Sequence, residues 1–67
     1  MDIKLDFFAG TEISQAILES IGIARKLNKE VSFNFNGFTI FVTPDSNIDN
    51  LANEYFSRLN SYKIIRL

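Results

Sequence analysis

The chain has 67 residues, no cysteine, no histidine, and a formal net charge of −1 from seven basic and eight acidic side chains. That inventory excludes disulfides, thiolate nucleophiles, an imidazole base and any ordinary zinc site. It also lacks the basic stripe that nonspecific DNA binding requires.

A single domain of this size buries only about 60% of its unfolded surface. Without covalent or metal staples it must rely on dense packing of its seven phenylalanines or on association. A homo-oligomer, a dimer first, is therefore expected. No apolar run approaches the ~20 residues of a membrane span. The first residues are acidic where a signal peptide would be basic. The expectation is a soluble protein of the cytoplasm, in the producing or host cell.

Asp2 to Phe8 alternate, with Ile3, Leu5 and Phe7 on one side and Asp2, Lys4 and Asp6 on the other. This predicts a half-buried strand. Phe8 breaks the alternation. Gly10-Thr11-Glu12 reads as a helix start with Thr11 as N-cap. At about 100° per residue, Ile13, Ala16, Ile17, Ile21, Ile23, Ala24 and Leu27 share one face. Arg25, Lys26 and Lys29 crowd the C-terminal end, where the helix dipole favours cations. Asn28 is the expected terminator. Gly22 lies opposite the apolar face, and Leu18, one turn earlier, also falls outside it.

Val31 to Val42, VSFNFNGFTIFV, reads as a β-hairpin closed by Asn36-Gly37 in a type I′ turn. That turn fixes the register. Phe35 faces Phe38, Phe33 faces Ile40 and Val31 faces Val42, all on the core side. Asn34 faces Thr39 and Ser32 faces Phe41 on the other side, so register forces Phe41 outward. Pro44 stops the strand. Asp45, Ser46 and Asn47 are candidate N-caps for a second helix, with Ser46 and Asp49 approximating a capping box. Ile48, Leu51, Ala52, Tyr55, Phe56, Leu59 and Tyr62 line its apolar face, and Glu54 with Arg58 forms an i,i+4 pair. Asn60-Ser61 ends this helix. Tyr62 to Leu67 is apolar and β-branched, which predicts a short last strand.

The order βαββαβ gives an α+β fold of the split-βαβ, ferredoxin-like kind. Two helices cover one face of a four-stranded antiparallel sheet whose first and third strands are central. The alternative is an αββα core of helix, hairpin and helix, completed by oligomerisation.

Enzyme chemistry finds no support. The serines lack an activating partner, and Asp45 and Asp49 are accounted for by helix capping. No cofactor or metal is expected. The expected function is a non-enzymatic binding module, accessory or inhibitory, that meets a protein partner through Phe41 and Phe8 or through Leu18 and Gly22. The same residues are candidates for self-association. Richness in Ile, Asn, Lys and Phe suits an AT-rich coding source, and small phage and mobile-element genomes encode many proteins that block a host factor.

Two alternatives remain. Thr11, Arg25, Lys26 and Lys29 would form an anion site between chains for a nucleotide-type ligand. Alternatively, Phe8 and Phe41 would stack single-stranded RNA on the open sheet face. The expected topology is similar to that of RNA-recognition domains, which use aromatics of two central strands in this way. VSFNFNGFTIFV lacks the glycine-aromatic consensus of that family, and a shared fold alone carries no function.

Overall fold

The computed structural model describes residues 3–58 and 63–66. Its elements are β1 (Ile3–Leu5), α1 (Ile13–Leu27), β2 (Val31–Phe35), β3 (Phe38–Val42), α2 (Ile48–Ser57) and β4 (Ile64–Arg66). Asp2, Leu59, Asn60, Ser61, Tyr62 and Leu67, each assigned to an element from sequence, lie outside the described residues.

The hairpin forms as its turn dictates. Asn36 and Gly37 have φ of 50° and 82°, the positive values a type I′ turn needs at both central positions. The pairing runs Phe35↔Phe38, Asn34↔Thr39, Phe33↔Ile40, Ser32↔Phe41 and Val31↔Val42. Phe33, Phe38, Ile40, Val31 and Val42 are buried.

The fold is α+β, with the βαββαβ order and two helices over one face of a four-stranded sheet. Two details of strand arrangement differ from the sequence expectation. The sheet is mixed rather than antiparallel, because β1 pairs parallel with β2 and β3 pairs parallel with β4. Its order is β1-β2-β3-β4, so the second and third strands are central rather than the first and third.

Strand length and patterning account for this. The hairpin strands have five residues each and the outer strands three. Only the longer, Phe- and Val-rich strands offer enough ladder and apolar area to be paired on both edges. The short strands carry Lys4 and Arg66, and charge on a short strand is the usual protection of a sheet edge. Both terminal strands join the chain's own sheet, so the αββα alternative does not apply.

α1 packs on β2, β3 and α2, and α2 also reaches β4. From α1, Ile13, Ala16, Ile17, Ser20, Ile21 and Ala24 are buried. Ser20 sits in the middle of that apolar face, and its hydroxyl donates to the Ala16 carbonyl at 2.7 Å, which satisfies it without an external partner. From α2, Leu51 and Tyr55 are buried, while Phe56 is 57% exposed. Tyr55 stacks edge-on to Phe35, lies tilted on Phe38, and its hydroxyl accepts from Asn36 Nδ2 at 3.0 Å. That contact ties α2 to the hairpin turn.

The helix ends refine the capping assignments. Glu12, not Thr11, is the N-cap of α1, and it makes no side-chain capping bond. The Thr11 N–H instead donates to the Phe8 carbonyl at 3.1 Å, closing a turn around Gly10 at φ 92°. Asn47 caps α2 through a 3.1 Å bond from the Asn50 N–H. Ser46 is occupied elsewhere, accepting from the Thr43 N–H at 2.8 Å, so no capping box forms. Asn28 ends α1 in the left-handed conformation at φ 52°, as its small amide side chain allows.

Candidate functional site

Two surfaces stand out, on opposite layers of the molecule. The first is a groove between β1 and α1. Phe7 turns inward and meets Phe33 edge to face, with ring centroids 5.3 Å apart. Phe8, the next residue, points outward and is 92% exposed. The groove is open, with a volume of about 610 Å³. Asp6, Phe7, Phe8 and Thr11 form one wall, and Gln15, Glu19, Gly22, Ile23 and Lys26 form the other.

The helical wall follows from spacing. Gln15, Glu19, Gly22 and Lys26 fall at i, i+4, i+7 and i+11, which is one stripe along a helix. Gln15 Nε2 donates to Glu19 Oε1 at 3.2 Å along that stripe. A Cβ added at Gly22 would meet nothing within 4 Å. This glycine therefore widens the groove without being required by the chain's own packing.

The second surface is the sheet face opposite the helices. The registers line up Lys4, Ser32, Phe41 and Arg66 in one row across all four strands, with Asn34, Thr39 and Ile64 in the next. Phe41 does point outward, as register requires, but it is half-buried. The Arg66 guanidinium covers its ring at 3.9 Å from the centroid, a cation–π arrangement that shields the aromatic face. Arg66 Nη2 also donates to Glu30 Oε1 at 3.1 Å. Thr39 Oγ1 donates to Asn34 Oδ1 at 3.1 Å. Ile64 is 45% exposed beside them.

The predicted site residues separate accordingly. Phe8 and Gly22 share the groove, together with Thr11 and Lys26. Phe41 lies on the other face of the sheet, so Phe8 and Phe41 do not form a joint platform. The strands that carry or precede them, β3 and β1, are not neighbours. Leu18 is 56% exposed on α1, one turn before Gly22. Arg25 leaves the cationic cluster, because its Nε donates to the Pro44 carbonyl at 3.0 Å and fastens α1 to the loop before α2. Lys29 lies in the turn after α1, where its N–H donates to the Ala24 carbonyl. Within one chain, therefore, Thr11, Arg25, Lys26 and Lys29 do not converge.

Sequence reasoning passed over the groove's polar rim of Asp6, Gln15 and Glu19. The stripe spacing that includes Gly22 and Lys26 was the available signal. It also gave no hint that Arg66 would cover Phe41. Among the described residues, no group of three acidic side chains is placed to hold a metal ion, and no helix is long and apolar enough to cross a membrane.

No protein-family model matches the chain, and neither curated proteins nor solved structures yield a match, so its chemistry is read from these two surfaces alone.

Proposed function

We propose that the protein is a small non-enzymatic binding module that acts by protein–protein contact, an accessory or inhibitory protein of the type encoded by small phage and mobile-element genomes. The observation that supports this reading is the helix-free sheet face with Phe41 and Arg66 stacked at its centre. Arginine and aromatic side chains are enriched among the residues that dominate interface energies. The surrounding Ser32, Asn34 and Thr39 supply a flat, hydrogen-bonding rim. Arg66 is held to Glu30 by an exposed ion pair, which is worth little in water. A carboxylate on a partner could therefore recruit the guanidinium at small cost, and a partner with an acidic group beside an apolar patch fits the face.

The test compares tagged wild type and Phe41→Ser in capture from the source or host cell, followed by affinity measurements with the purified partner. Loss of a central anchor costs on the order of 2 kcal/mol or more, so Phe41→Ser should weaken binding about 30-fold while the fold persists. A partner held equally well by Phe41→Ser and by Leu18→Ser would show that these surfaces are not the contact.

A further inference from the structure

The open groove has a shape and charge pattern that repeats under a two-fold rotation. β1 is an edge strand, paired only with β2 among the described residues. Leu5 is flanked by Lys4 and Asp6, both exposed. An antiparallel pairing of two β1 edges about an axis through Leu5 sets each Lys4 opposite Asp6 of the second copy. It also sets each Ile3 opposite Phe7. Charges then meet opposite charges, and apolar side chains meet apolar side chains.

The wall formed by α1 has the same property. Glu19 and Lys26 are equidistant from the midpoint between Gly22 and Ile23. An axis through that midpoint brings each Glu19 towards Lys26 of the second copy.

One axis serves both elements. Ile3 is level with Val31, which follows the C-terminal end of α1 by a short turn. At ~3.3 Å per strand residue and ~1.5 Å per helical residue, Leu5 and the Gly22–Ile23 midpoint both lie roughly 7 Å above that end.

The exposed Phe8 also finds a place. It stands at the Thr11 end of its own groove. The rotation carries it to the Lys26 end of the other copy's groove, beside Ile23 and the space left by Gly22.

We propose that a second copy of this chain docks on the groove, the two β1 edges pairing antiparallel about a two-fold axis through Leu5 so that the two sheets continue as one. A two-fold interface must be self-complementary, and both charge pairs meet that condition independently. The proposal goes beyond the partner-binding reading and does not depend on it. The axis is normal to the sheet, so both Phe41 faces remain free on the same side of the joined sheet.

Sedimentation of the full chain from low micromolar to submillimolar concentration tests the proposal, with circular dichroism to confirm folding. Wild type should be a dimer. Lys4→Asp sets like charges opposite each other and should raise the dimer dissociation constant at least about tenfold. The swap Lys4→Asp with Asp6→Lys restores the pairing and should restore the dimer. Gly22→Gln adds a good helix former at an open position and fills the groove, so it should leave a folded monomer. A wild type that stays monomeric throughout overturns the proposal. So does a dimer that is indifferent to Gly22→Gln and to Lys4→Asp, or one that is lost with Phe41→Ser instead. If Lys4→Asp fails to fold, Gly22→Gln decides the matter alone.

Discussion

Asn28 and Asn36 both hold left-handed backbone, with φ of 52° and 50°, yet they do so for different reasons. Asn28 ends α1, where glycine is the preferred residue. Asn36 opens the hairpin turn and in addition donates to the Tyr55 hydroxyl. The left-handed region costs an ordinary L-residue roughly 1–2 kcal/mol. Asn28→Gly should therefore raise stability by a few tenths to about 1 kcal/mol, whereas Gly37→Ala should lower it by about 1 kcal/mol. The nearest atom to a Cβ at Gly37 is Lys63 Cδ at 4.0 Å, so that loss comes from the backbone torsion and not from a clash. Urea midpoints of the two variants, at one fixed protein concentration, check both signs. The turn itself was readable from two letters, Asn36-Gly37, because its geometry is set within four residues. The cover over Phe41 was not, since Arg66 is brought to it only by the pairing of β3 with β4.

The two helices are stabilised unequally at their starts. Asn47 caps α2 with its side chain, while Glu12 at the corresponding place of α1 makes no capping bond. A side-chain cap is typically worth ~1 kcal/mol. Asn47→Ala should therefore lower the urea midpoint by an amount corresponding to about 1 kcal/mol. Glu12→Ser should raise it by about half that or more. An unchanged midpoint for Glu12→Ser would mean that the turn through Gly10 holds the chain away from capping geometry. The sequence suggested Thr11 for this cap, and the residue type was suitable. A tertiary detail displaced it: the Thr11 N–H is taken by the Phe8 carbonyl, so the first helical residue moves to Ile13. Helix existence, apolar face and terminator at Asn28 were all legible from periodicity and residue type, because each is a property of a few consecutive turns. The burial of Ser20 was legible only as a position. Its hydroxyl could be accepted there because the Ala16 carbonyl lies one turn back.

At the scale of the whole molecule, one small core carries the fold. Phe33 is fully buried on β2, between Phe7 and the helices. Truncating a buried Phe costs ~3–5 kcal/mol, and a small domain has only 5–15 kcal/mol in total, typically near the low end. Phe33→Ala should accordingly lose cooperative thermal unfolding, as followed by circular dichroism from the lowest accessible temperature. A retained sharp transition within a few degrees of wild type would show that the core is larger than this layer.

The sequence by itself determined the six elements and their order, the hairpin and its register, and the outward direction of Phe41. It also determined the absence of thiol and imidazole chemistry. These follow from periodicity, turn chemistry and composition, which act over a few residues or none. Only the tertiary structure decided that the hairpin strands are central, that the terminal strands pair parallel with them, and that β1 and α1 leave a groove between them. Those outcomes depend on how short, charged strands compete with longer apolar ones for two-sided pairing, and that competition joins residues as far apart as Ile3 and Val31.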